Sequence, residues 1–127
     1  MKTLTPLLAL VLAGCVTTPA VPIEVGATPT CTSDAECTAK WAAARTYVLQ
    51  HAGMKIQNYA PDYLETFGSS DMSIAAQVNK APLPQGGYAI TAKFWCGNVF
   101  GCMENPRALL AGFNREVSSI GLGTAAR

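Results

Sequence analysis

The chain predicts a two-layer α+β domain, in which an antiparallel meander of three or four strands carries an N-terminal and a C-terminal helix on one face. Three observations predict it. Apolar residues recur at helical spacing near both ends of the folded part, and the region between alternates apolar with polar side chains. The turns between the alternating runs are too short for the helical crossovers that parallel strands need. Two amphipathic helices and a half-buried meander hide their apolar surfaces most simply as two layers.

The first helix is expected over 34–52. Ser33-Asp34-Ala35-Glu36 is a capping box, with Ser33 accepting from the Glu36 amide and Glu36 reaching back. Beyond it Cys37, Trp41, Ala44 and Val48 fall on one face, and Trp41 reads as a core anchor. Gly53 is a natural stop, because glycine accepts the left-handed conformation at little cost.

Two short strands follow at 54–59 and 63–67, around Ala60-Pro61-Asp62. In the next strand, 72–79, Met72, Ile74, Ala76 and Val78 alternate with Ser73, Ala75, Gln77 and Asn79. A turn at 82–87 leads to the last strand, 88–96, where Tyr88, Ile90, Ala92, Phe94 and Cys96 share one face. The second helix opens at Asn105-Pro106, an N-cap residue followed by proline in the first turn. Leu109, Phe113, Val117 and Ile120 form its apolar row, Gly121 and Gly123 end it, and the last residues are expected to fray.

The folded part is preceded by a different kind of sequence. Met1-Lys2-Thr3 is a short basic start, and 4–12 is an apolar run interrupted by Thr5 and Pro6. That run is too short to span a membrane and has the proportions of a secretory signal. It ends in Leu12-Ala13-Gly14-Cys15. Small residues directly before a cysteine at this place resemble the signal of bacterial lipoproteins. The resemblance implies that 1–14 is a signal peptide, removed before a Cys15 that carries a diacylglyceryl thioether and an N-acyl chain. It implies a membrane partner through that anchor. Val16 stands where an Asp would mark inner-membrane retention, so the resemblance implies an outer-membrane protein facing the periplasm. The Cys31–Cys37 start, the segment from Phe94-Trp95-Cys96 to Cys102, and Phe113-Asn114 also resemble small proteobacterial lipoproteins, a likeness that brings no activity with it.

Residues 15–30 read as the lipidated cysteine and a Pro/Thr-rich tether. Prolines 19, 22 and 29 favour extended chain, so the spacer reaches roughly 45 Å at polyproline rise. The domain proper is then 31–127. Apart from Cys15, four cysteines remain: Cys31, Cys37, Cys96 and Cys102. In an exported chain an even set reads as disulfides, and four cysteines allow three pairings. Local pairing, Cys31 with Cys37 and Cys96 with Cys102, is favoured because sequence neighbours most easily bring their Cα atoms within bonding range. A bridge between the two pairs would close a longer loop and stabilise more in the chain-entropy model. A four-thiolate zinc site is disfavoured, since five residues separate each pair where zinc sites use two to four.

Composition excludes classes of function without choosing one. Nine Lys and Arg stand against eight Asp and Glu, giving a net charge of +1. Signal removal takes Lys2 away and leaves a neutral domain with no strong field to steer nucleic acid. The single histidine, His51, ends the first helix with no nucleophile and orienting acid evident around it. Ser69, Ser70 and Asp71 form a hairpin loop with no nucleophile-elbow motif. Glu104 and Glu116 read as solvated acids, and no phosphate-binding glycine motif is present. No catalytic residue, metal or cofactor is expected.

One segment stands out. Phe94-Trp95-Cys96-Gly97-Asn98-Val99-Phe100-Gly101-Cys102-Met103 places Trp95 opposite Phe94 on the strand and carries Val99 and Phe100 in a cysteine-bounded loop. Trp95, Val99 and Phe100 are the candidate partner surface, with Tyr59, Tyr63 and Phe67 able to join Trp95 if the register permits. Folding of these side chains back onto the domain is the competing expectation. The expected function is a non-enzymatic interaction or structural module held at the cell envelope, with an envelope protein as partner. The alternative is a periplasmic ligand-binding or inhibitor domain that uses the aromatic surface around Trp95 and Phe100.

Overall fold

The structure is a computed structural model that describes residues 14–15 and 21–121. Most of the expected signal segment, Val16, the first part of the tether and the expected frayed end beyond Gly121 lie outside the described residues.

Seven elements run in the order β1 (Thr30–Cys31), α1 (Asp34–His51), β2 (Ile56–Tyr59), β3 (Tyr63–Thr66), β4 (Ala75–Pro82), β5 (Tyr88–Trp95) and α2 (Pro106–Ser119). They form an α+β domain with one antiparallel sheet in the order β1-β5-β4-β3-β2. Four strands are the expected meander. The fifth, β1, is two residues that pair Thr30 with Ala89 and Cys31 with Tyr88. Two residues carry no periodicity, which is why this strand is illegible in the sequence.

Both helix starts follow their capping signals. Ser33 Oγ accepts from the Glu36 amide at 3.1 Å, and Glu36 Oε1 accepts from the Thr32 amide at 2.8 Å, one residue further back than a standard capping box reaches. Asn105 Oδ1 accepts from the Arg107 and Ala108 amides at 2.9 and 3.3 Å. The end of α1 differs from expectation. Gly53 does not adopt the left-handed conformation. It is small because a Cβ there would stand 2.7 Å from Ser73 Cβ, where the chain leaving α1 crosses the loop before β4. That loop also shortens the predicted strand: Asp71 and Met72 have φ of 48° and 66°, and the Ser73 amide closes onto the Ser70 carbonyl at 2.8 Å. The alternation from Met72 therefore begins in a turn, and pleating starts at Ala75.

The core lies between the sheet and the two helices. Leu64, Ala76, Val78, Ile90, Ala92 and Phe94 point from β3, β4 and β5 toward Trp41, Ala44 and Val48 of α1 and Leu109, Phe113 and Val117 of α2. The register sets this face by pairing Ala76 with Phe94 and Val78 with both Ala92 and Leu64. Thr66 ends the inner row and substitutes for a ladder bond, its hydroxyl accepting from the Ala76 amide at 2.9 Å. The helices share this one face, and among the described residues no element covers the other.

The two disulfides join Cys31 to Cys37 and Cys96 to Cys102, with Cα separations of 5.1 and 5.9 Å. The first ties β1 to the start of α1, and the second closes the loop between β5 and α2.

The segment expected as a free tether is docked over its second half. Asn114 Nδ2 donates to the Val25 carbonyl at 2.8 Å, Arg107 Nε donates to the Ile23 carbonyl at 2.6 Å, and the Ile90 amide donates to the buried Pro29 at 2.8 Å. The folded unit therefore starts near residue 23, ahead of the expected boundary at 31. Proline-rich composition reports extended chain but not whether a neighbouring surface takes up its carbonyls.

Candidate functional site

One end of the domain gathers the loops. The strand β5 arrives there at Trp95, β4 departs from it at Ala75, α1 ends at it and α2 begins from it. The loop from Cys96 to Cys102 sits at its tip. Within it, Asn98 Oδ1 accepts from the Phe100 amide at 2.9 Å, and the Asn98 carbonyl accepts from Gly101 at 3.0 Å. Gly101 has φ of 96°, a value that favours glycine. Ser69 Oγ accepts from the Gly97 amide and donates to the Ser73 carbonyl, both at 2.7 Å, and the Met103 amide donates to Met72 at 3.0 Å. The disulfide and these bonds hold the loop in one shape against the β3–β4 connection.

That shape turns its apolar side chains outward. Val99 and Phe100 are each 92% exposed and Met103 81%. Beneath them a shallow pocket of about 340 Å³ is lined by Ser69, Ser70, Asp71, Gly97, Asn98 and the two tip residues. Trp95 is half-buried on the sheet face away from the helices, with Lys93 Nζ 5.6 Å from its ring centre. Among the described residues no ring contact joins Trp95 to Phe100.

The other aromatics do not gather at Trp95. Tyr59 lies near the opposite end, stacked on Trp41 with centroids 6.2 Å apart. Tyr63 shares the open sheet face but stands in register with Asn79 and, across β4, with Thr91. That is four residues along β5 from Trp95, about 13 Å at strand rise. Its hydroxyl donates to Glu65 Oε2, while Asn58 Nδ2 donates to Glu65 Oε1. The Tyr63 and Asn58 bonds hold the Glu65 carboxyl below the ordinary glutamate range, and the same bond raises the Tyr63 hydroxyl above the ordinary tyrosine value. Phe67 is at the loop end, 48% exposed, but off the strand that carries Trp95.

His51 stacks on Tyr47 with centroids 4.2 Å apart and lines a cleft of about 220 Å³ with Ser73, Met103 and Glu104. The shared cleft could not be read from residues so far apart in sequence. Among the described residues no hydrogen bond links His51 to Ser73 or Glu104. Nor do three His, Cys, Asp or Glu side chains come together as metal ligands among the described residues.

The sequence also left unread a row of cations and rings across the far end. Arg45 lies 4.9 Å over Tyr59, Tyr59 stacks on Trp41, and Lys80 Nζ stands 5.8 Å from the Trp41 centroid and 5.4 Å from that of Tyr88. These residues come from α1, β2, β4 and β5, and each cation already has its rings within the fold. Such contacts stiffen a surface. The available signal was an aromatic at a strand terminus, with Tyr59 ending β2 and Tyr88 opening β5.

Cys15 is exposed and unpaired, whereas the other four cysteines are consumed in disulfides. Among the described residues no helix is long and apolar enough to cross a membrane. Comparison with known proteins finds no matching family model, no matching curated protein and no matching solved structure.

Proposed function

We propose that the chain is a lipid-anchored lipoprotein of the cell envelope that presents a small, non-enzymatic interaction or structural module to the periplasm. The observation that carries the reading is Leu12-Ala13-Gly14-Cys15 at the end of an apolar run. Cleavage before Cys15 and acylation of its thiol and amine give several chains, enough for stable residence on a bilayer where one chain holds only marginally. Val16 in place of Asp favours the outer membrane. Two features support it. Cys15 is the cysteine left outside the disulfides, and the paired four suit an oxidising compartment.

Replacement Cys15→Ser tests it. The wild-type chain takes up labelled fatty acid and migrates as a processed form, whereas the variant takes up none and accumulates as the precursor. A variant that is processed normally and recovered as a soluble protein overturns the reading.

A second reading, a periplasmic ligand-binding or inhibitor domain, draws on the exposed Val99 and Phe100 of the disulfide-closed loop and the pocket beside them.

A further inference from the structure

The direction in which the chain leaves the domain and the placement of its exposed apolar side chains coincide. From Thr30 backward the backbone runs beside α2, bonded at Val25 to Asn114 and at Ile23 to Arg107. It therefore travels from the start of β5 toward the first turn of α2 and emerges there. Pro106, the first residue of α2, follows Cys102 by four positions, so the chain emerges at the end that carries the Cys96–Cys102 loop. Ile23 lies eight positions after Cys15, a stretch that bridges at most about 28 Å when fully extended. An anchor at Cys15 thus holds this end near the bilayer. The reverse orientation would use almost all of that length to run back along β5, itself about 26 Å long at strand rise.

This same end is the apolar one. Ten large hydrophobic side chains are exposed among the described residues, and only Tyr59 and Tyr88 lie at the far end. The loop contributes Val99, Phe100 and Met103, the connection beside it Phe67 and Met72, and the last turns of α1 Leu49. Val21 and Ile23, on the emerging chain, complete the set. From Cys96 to Met103 the loop contains no charged residue. Its Phe100 and Gly101 amides are already bonded within the loop, so contact with an apolar phase leaves neither unpaired. The disulfide pre-orders it, which cuts the loop entropy lost on contact.

We propose that this end of the domain rests on the lipid surface, with Val99 and Phe100 dipping among the acyl chains and Met103 beside them. The inference rests on lipidation of Cys15 and adds an orientation: the turn at Leu83 to Gly87 and the Arg45–Tyr59–Trp41–Lys80–Tyr88 row face away from the membrane.

The test uses the protein purified in detergent from bacteria that express the full chain, reconstituted in phosphatidylethanolamine–phosphatidylglycerol vesicles with lipids brominated along their acyl chains. Phe100→Trp reports the tip and Tyr88→Trp the far end, each read against the wild-type background of Trp41 and Trp95. Both positions are exposed, so neither change disturbs the core. Phe100→Trp emission is expected to shift to shorter wavelength and lose intensity to the bromolipids, and Tyr88→Trp emission to do neither. Mass spectrometry of the same sample reads the state of Cys15. Lipid on Cys15 with an unquenched Phe100→Trp overturns the bilayer contact and leaves the anchor standing, as does equal quenching at both positions. A tip reserved for a periplasmic ligand or protein gives the unquenched result. An unmodified Cys15 overturns the anchor and the orientation together.

Discussion

The Tyr47 hydroxyl donates to the Leu109 carbonyl at 2.9 Å, joining the two helices across 62 positions of sequence. The ring beneath meets Phe94 and Phe113 edge-on, with centroids 6.1 and 5.6 Å away, so one side chain links α1, α2 and β5. Burial pushes the Tyr47 hydroxyl up from the ordinary tyrosine value, which keeps it a donor. The contact explains Gly112: a Cβ at that position would collide with the Tyr47 hydroxyl.

Glycine inside a helix usually costs stability relative to alanine, by about 0.5–1 kcal/mol. At position 112 the sign is expected to reverse, with Gly112→Ala losing about 1–3 kcal/mol from overpacking. In a Tyr47→Phe background the obstructing oxygen is gone and the nearest ring carbon would stand 3.3 Å from the added Cβ, so the same change costs markedly less. Urea denaturation of the four proteins measures the cycle. A Gly112→Ala protein more stable than wild type would show that the helices do not meet this closely.

Asn114 is buried, and its amide takes the Val25 carbonyl at 2.8 Å. Asn114→Ala should release the segment ahead of β1 and cost about 1–2 kcal/mol for the lost bond. A glutamate-specific protease then cuts after Glu24 faster than in the wild type, while the core stays resistant. Equal cleavage rates would mean that residues 23–30 are free, as the proline content alone suggests.

Glu65 accepts from Tyr63 and Asn58, so its folded carboxyl titrates below that of the unfolded chain. Linkage then fixes the direction: the contribution is complete above the unfolded glutamate pKa and is lost as pH falls through the lowered folded value. Tyr63, raised by the same bond, contributes below the ordinary tyrosine value and loses it as pH rises through the raised folded one. Carboxyl-carbon NMR of Glu65 should give a midpoint under the ordinary range, and Tyr63→Phe should move it upward. An unmoved midpoint in Tyr63→Phe would remove the hydroxyl as its cause.

Non-reducing digestion is expected to release Cys31 joined to Cys37 and Cys96 joined to Cys102. By the chain-entropy model, removing either short loop costs roughly 2 kcal/mol. Alanine at Cys31 and Cys37 should cost more than alanine at Cys96 and Cys102, because the first pair is buried and the second only half so. Thermal melts of the two double variants compare them, and the reverse order would mean that the loop staple carries the fold.

Much of the architecture was legible because its causes are local. Ser33 with Glu36, and Asn105 with Pro106, mark helix starts through bonds made within four residues. Period-two alternation along β5 marks a face because neighbouring pleats must point opposite ways. The same locality made the two staples legible, since residues six apart meet with little help from the rest of the chain. The candidate tip was visible as apolar residues between two cysteines, but their exposure was not. It depends on Ser69 and Met72, which bond to Gly97 and Met103 and so hold the loop from a connection about 30 positions away in sequence.

The sequence by itself determined the layer architecture, the cysteine pairs within reach of each other and the lipoprotein-like start, because each is written in adjacent residues. Only the tertiary structure decided that β1 closes the edge of β5, that Tyr59 and Tyr63 part from Trp95, and that residues 23–30 lie along α2. Those outcomes depend on register and on which carbonyl a distant Asn114 or Arg107 can reach. Such distances are set by packing the whole chain at once, and no single segment contains them.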